Sequence, residues 1–78
     1  MPYPAALDLM GRYGVSAELA SIIGGVSTMP SASDLMGLGM PDGQAALLGG
    51  VAYASRPKDY NLIGMGMAPE LAAVLGQP

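Results

Sequence analysis

The sequence predicts a mainly α-helical protein built from three short helix–Gly–helix hairpin repeats on extended linkers, with little or no sheet. Three observations carry that expectation. The stretch Asp34 to Gly50, DLMGLGMPDGQAALLGG, is restated with variations from Asp8 to Gly25 and from Asn61 to Gln77. Apolar residues recur inside each copy at the spacing of a helix face, and glycines stand where each helix has to stop. The turn glycines Gly14, Gly39 and Gly66 are separated by 25 and 27 residues, and so are the closing glycines Gly24, Gly49 and Gly76. From the turn glycine to the closing glycine the copies therefore correspond without a gap, while Arg12-Tyr13 adds one residue ahead of Gly14 in the first.

Composition narrows the class further. A chain of 78 residues is one domain at most, and so small a body buries a reduced share of its surface. With no Cys and no His, disulfides are impossible and structural metals lack their best ligands, which leaves oligomerisation or docking as the means of added stability. Charged residues make up 12%, about half the usual share of roughly 25%. Apolar residues reach 51% with neither Phe nor Trp. Low charge with many short aliphatic side chains suits a surface covered by neighbours. Twelve Gly and seven Pro suggest short ordered pieces joined by extended segments that order fully on assembly.

The units span 5–25, 34–50 and 61–77 within a single repeat protein of residues 1–78, with linkers 26–33 and 51–60. Met1 to Pro4 is an extended entry, since each Pro fixes its own φ and restricts the residue before it, and Tyr3 is a candidate docking residue. In the first unit a short helix containing Leu7 and Met10 is weakened by Gly11 and broken at Gly14. A second helix follows, with Ser16 as N-cap and Glu18 in its first turn. Its face is Val15, Leu19, Ile22 and Ile23, and Gly24 is placed to end it in a left-handed conformation.

The linker 26–33, VSTMPSAS, is expected to be extended and to reach roughly 26 Å. In the second unit Ser31 or Ser33 caps a helix carrying Leu35, Met36 and Leu38, and Pro41 suits the first position of the next helix. Met40, Leu47 and Leu48 restate the stripe there, with Gln44 in the place of Leu19, and Gly43 makes this the weakest helix. The linker 51–60 reads as a short strand followed by a turn at Arg56-Pro57-Lys58-Asp59. In the third unit Asp59 or Asn61 caps the first helix, which carries Leu62, Ile63 and Met65. Pro69 starts the last helix, and Met67, Leu71, Val74 and Leu75 line it.

A repeating unit that cannot bury its own apolar face stacks on copies of itself or on a partner. Two arrangements fit: three hairpins around one core, or three beads pressed into equivalent grooves of a repetitive partner, with affinity raised by effective concentration. The candidate contact surfaces are Val15, Leu19 and Ile22; Met40, Leu47 and Leu48; and Met67, Leu71 and Val74. Arg56 and Lys58, flanked by Tyr53 and Tyr60, form a patch suited to an acidic surface on a partner protein, with Tyr53 and Arg56 as the candidate contact residues; the other reading of these residues is a solvated loop carrying two isolated cations. Four methionines, Met36, Met40, Met65 and Met67, flank the turn glycines, as on surfaces that adapt to irregular partners.

Several functions are excluded as expectations. A net charge of −3 with three basic residues does not suit nucleic acid, which needs several phosphate contacts. The longest charge-free stretch, 19–33, is broken by glycine and proline and is shorter than a membrane span. The N-terminal residues lack the pattern of a secretory signal. General bases and nucleophiles reduce to lone carboxylates and unactivated hydroxyls, so no catalytic residue, cofactor site or metal site is expected and the chain is not expected to be an enzyme. Gly37-Leu38-Gly39 and Gly64-Met65-Gly66 are turn glycines with no preceding strand.

The phrase Leu-Met/Ile-Gly-x-Gly-Met followed by Pro and then Ala-Ala-x-Leu-Gly, in the second and third units, resembles short repeats of small structural proteins of tailed bacteriophages. The resemblance covers about two thirds of the chain. It implies a virion component made in the host cytoplasm and present in many copies, such as a capsid decoration or cement protein, whose partners are the major capsid protein or other virion subunits. The alternative is a small folded adaptor or head–tail connector module that binds a protein partner. The first unit departs from the motif, with Arg12-Tyr13 before Gly14 and Ser16 where Pro41 stands. Leu35-Met36-Gly37-Leu38-Gly39-Met40 is also similar to the start of a ubiquitin-associated domain, from which it departs in lacking the aromatic turn residue.

Overall fold

Each unit opens on a residue followed by proline: Tyr3-Pro4, Met29-Pro30 and Arg56-Pro57. Proline holds the opening extended, and its carbonyl then accepts a hydrogen bond from the far end of the same unit. The amides of Gly25, Gly50 and Gln77 donate to the carbonyls of Pro4, Pro30 and Pro57, each at 2.8 Å. Between these ends lie two helices per unit. They are α1 (Ala6–Tyr13) and α2 (Ala17–Ile23), α3 (Ala32–Gly37) and α4 (Asp42–Leu48), α5 (Asp59–Gly64) and α6 (Pro69–Leu75), in a computed structural model that describes residues 2–78. The expected mainly α architecture is present, with two isolated bridges as the strand content among the described residues.

Helices of six to eight residues do not persist alone in water, so local signals place them and packing keeps them. The Ser16 and Ser31 hydroxyls accept from the amides of Leu19 (3.4 Å) and Asp34 (3.3 Å), and Pro69 occupies the start of α6. The third unit differs from expectation: α5 begins at Asp59, with Lys58 at the cap position and no side-chain cap bond. Every helix carries one acidic residue in its first turn: Asp8, Glu18, Asp34, Asp42, Asp59 and Glu70. Together these are all six carboxylates of the chain, each placed where the helix dipole favours a negative charge.

The three hairpins share one core, which removes the arrangement of separate beads. Each unit supplies it with equivalent side chains, Leu9, Leu35 and Leu62, Ala20, Ala45 and Ala72, and Ile23, Leu48 and Leu75, joined by Tyr3, Met29, Met40 and Met67. A Cα radius of gyration of 10.8 Å lies just below the roughly 11.5 Å of one compact domain of this length. The linkers are shorter than expected because Met29 belongs to the core and Ser31 already caps α3. The remaining connections, 26–28 and 51–55, pair with each other: Met29 N–H donates to Val51 O at 3.0 Å and Tyr53 N–H to Ser27 O at 2.9 Å. The expected short strand after Val51 is a bridge at Ala52 and a 3₁₀ turn, Tyr53–Ser55.

The closing glycines serve space rather than handedness. Gly24 and Gly49 have φ of −68° and −59°, and the left-handed positions are the next residues, Gly25 and Gly50, at 72° and 70°. A Cβ on Gly49 would lie 2.5 Å from the Ala32 nitrogen, and one on Gly24 would strike the Ala6 backbone. The end of each unit thus packs directly on the start of its first helix.

Gly24→Ala and Gly49→Ala are each expected to destabilise the fold by about 1–3 kcal/mol through backbone overpacking. Gly11→Ala, in the open interior of α1, should stabilise it by roughly 0.5–1 kcal/mol, so urea melts followed by far-UV circular dichroism should move in opposite directions. Leu62→Ala is expected to cost about 2–5 kcal/mol and to lower the midpoint of one common transition, including the fluorescence of Tyr3 and Tyr13 in the first unit. Separate transitions for separate units would contradict the shared core.

Candidate interaction surface

Helix geometry converts the shared core into a set of outward faces. In α1, α3 and α5 the inward residue is Leu9, Leu35 or Leu62, and on a helix of 3.6 residues per turn the position two residues earlier lies on the opposite side. That position holds Leu7, Ser33 and Tyr60, and the residue after the inward leucine is Met10, Met36 or Ile63. Leu7 is 78% exposed and Tyr60 66%. Met36, Ile63 and Met65 are exposed at 40–50%, while Met10 is half-buried. Because the three leucines converge on one core, these outward faces diverge around the body.

The surfaces expected from sequence are placed differently. Met40, Leu48 and Met67 are core residues, closed to any partner. Val15, Leu19, Leu47, Leu71 and Val74 are half-buried flanks of the core, and Ile22 is the exposed member of that set. The inward line of the second helices runs through Ile23, Leu48 and Leu75, which the expected stripes include, and, one position on from Leu19, Gln44 and Leu71, through Ala20, Ala45 and Ala72. Their small side chains let α2, α4 and α6 approach the core closely. Tyr3 is no docking residue either, being 1% exposed. The four turn methionines divide, Met40 and Met67 inward, Met36 and Met65 outward.

Seams between units add detail. Gln44, standing where the first unit has Leu19, is buried and its Nε2 donates to Met65 O at 3.2 Å. Gly43, in the helix before it, leaves room for the Met65 side chain, whose Sδ would lie 2.8 Å from a Cβ there. Between α2 and α3 an open cleft of about 360 Å³ is lined by Ile22, Pro30, Ser33, Asp34, Gly37 and Leu38. It offers an apolar floor with one carboxylate. Among the described residues no group of three or more acidic side chains is arranged to hold a metal ion, and no helix is long and apolar enough to cross a membrane.

Of the four residues of the expected patch, the structure brings Tyr53 and Arg56 together and leaves Lys58 and Tyr60 exposed. The Arg56 guanidinium lies 3.6 Å from the Tyr53 ring centroid, and the Tyr3 ring meets Tyr53 edge-on at 5.1 Å. The Tyr3 hydroxyl donates to Val51 O at 3.3 Å. Burial raises the Tyr3 phenol above the ordinary tyrosine value, against the opposing pull of Arg56. Lys58 is exposed.

Comparison with known proteins found no matching family model, no similar curated protein and no similar solved structure.

The raised Tyr3 phenol sets an alkaline limit. Below the unfolded value near 10 both states keep the proton and the contribution is complete. As pH rises from there through the folded value, the unfolded chain releases its proton first and stability falls. Tyr3→Phe is expected to cost about 0.5–1.5 kcal/mol at neutral pH through the lost hydrogen bond and to flatten this alkaline decline. Urea midpoints measured on either side of the tyrosine range check both signs.

Proposed function

We propose that this chain is a non-enzymatic structural protein that docks as one folded body onto repeated protein subunits, in the setting of a tailed-bacteriophage virion. The observation that supports docking is the recurrence of exposed apolar residues at equivalent repeat positions: Leu7 with Tyr60, and Met36 with Ile63. Apolar side chains scattered singly on a surface need no explanation. Recurrence at the same place in two of the three units, on a body with so little charge, favours a surface covered by a partner.

The virion setting rests on the resemblance of the second and third units to repeats of small phage structural proteins. In that setting the divergent faces of α1, α3 and α5 suit a cement or decoration protein that touches more than one neighbouring capsid subunit. The shared core replaces bead-like docking of separate hairpins with contact by outward faces of a single module. That same core supports the second reading, a folded adaptor or head–tail connector module that engages one partner.

Purified particles from the phage or prophage that encodes the chain supply the test. The chain is expected in them by mass spectrometry at a fixed ratio to the major shell subunit. Met36→Asp with Ile63→Asp should leave the circular dichroism spectrum intact and prevent incorporation, and shells lacking the chain should rupture at lower temperature. Absence of the wild-type chain from intact particles would sink the virion reading. Incorporation of the double variant at the wild-type level would sink the assigned faces.

A further inference from the structure

We propose that Arg56, laid on Tyr53, is a binding site for a carboxylate presented by a protein partner. This rests on the docking reading above and names the chemistry of one of its contacts. The first observation is positional. The residue before the opening proline is Tyr3 in the first unit and Met29 in the second, both core side chains at 1% and 3% exposure. In the third unit the same position holds an arginine that is partly exposed. A cation thus replaces an apolar core residue at one of three equivalent places.

The second observation is what the other charges are doing. All six carboxylates stand in first turns of helices, and Arg12 stands in the last turn of α1, where the dipole favours a cation. Arg56 and Lys58 have no such role, and Lys58 sits at the start of α5, the end that disfavours it. The third observation is geometric. Tyr53 is fixed by the edge of Tyr3, Tyr3 is tied to Val51 O, and Pro57 stiffens the backbone next to Arg56. The guanidinium therefore rests on an ordered aromatic platform. Its Nε is buried without an acceptor, an arrangement that costs stability unless something compensates.

With Nε enclosed, the terminal Nη groups are the donors left for an outside acceptor. A planar guanidinium presents these donors in a fork that matches a carboxylate. Because the fork is already ordered, little further entropy is lost on binding. A single guanidinium balances a single carboxylate. Asp59, three residues on, and the net charge of −3 weigh against a phosphate dianion. Arginine and tyrosine together are the residue types that concentrate binding energy in protein interfaces.

The experiment is an acetate titration of the isotope-labelled chain, with sodium chloride of equal ionic strength and inorganic phosphate as comparisons, followed by NMR of the arginine side chains. Acetate is expected to shift the Arg56 guanidinium and Tyr53 ring resonances saturably, while Arg12 in the same sample moves only as it does in chloride. Arg56→Met, which copies Met29 of the second unit, should keep or raise the melting temperature and abolish the Tyr53 response. Equal movement of Arg12 and Arg56, or a stronger response to phosphate than to acetate, would overturn the proposal. So would a lower melting temperature for Arg56→Met, which would mark the side chain as serving the fold. Acetate needs no partner, so a silent Arg56 leaves the docking reading standing, and particles that lack the chain leave the acetate site measurable.

Discussion

The contact on which the rest of the molecule depends is the seating of each unit's closing glycine on the first turn of the same unit's first helix. Gly24 lies against Ala6 and Gly49 against Ala32 at separations that admit no side chain, and Gly76 lies against Asp59 with slightly more room. Beside each contact an amide from the unit's end reaches the carbonyl of its opening proline. Backbone polar groups that would be exposed at a loose junction are thereby paired. The close approach also fixes how the two helices of a hairpin cross, which sets the Leu9, Leu35 and Leu62 side chains on the same interior. In the third unit Gln77 stands where Gly25 and Gly50 adopt positive φ. The chain leaves there with an extended Gly76, and the Gln77 side chain donates to Ala54 O.

Helices this short are a burden that the sequence answers in two ways. Each receives one carboxylate at its positive end, a favourable term of about 0.3–1 kcal/mol apiece. Each also contributes at least one fully buried aliphatic side chain to a core used by all three units. The acidic balance of the chain is therefore explained inside the fold, and it does not describe a surface awaiting a basic partner. What the fold leaves unexplained is apolar and outward, together with Lys58 and one arginine on a tyrosine.

Fold class, unit count and hairpin turns were legible because they rest on local signals: repeated glycines, helical spacing, serine caps and proline at helix starts. The start of each unit was not legible. Met29 and Arg56 look like linker residues until the hydrogen bonds of Pro30 and Pro57 are known, and these join positions about twenty residues apart. The inward face of the second helices was legible at Ile23, Leu48 and Leu75 and missed one turn earlier, where periodicity weighted by size favours Leu19 and Leu71 over Ala20 and Ala72. A signal for the correct line was present in the invariance of Ala20, Ala45 and Ala72 across the copies, where the neighbouring position varies from Leu to Gln. The outward face of the first helices was not singled out, because Leu7, Met36 and Ile63 follow the apolar pattern of those helices and spacing alone does not separate them from the inward leucines.

Closure of each unit on its own start has a kinetic meaning. The ends brought together are separated by little more than twenty residues, and the entropy of closing a loop grows only slowly with its length. Most of the ordering is therefore local to one unit, the topology for which chains fold quickly. The hydrogen bond that joins each unit's ends and the helix pair it encloses are contacts within that unit, and the shared core is what holds one closed unit to the next.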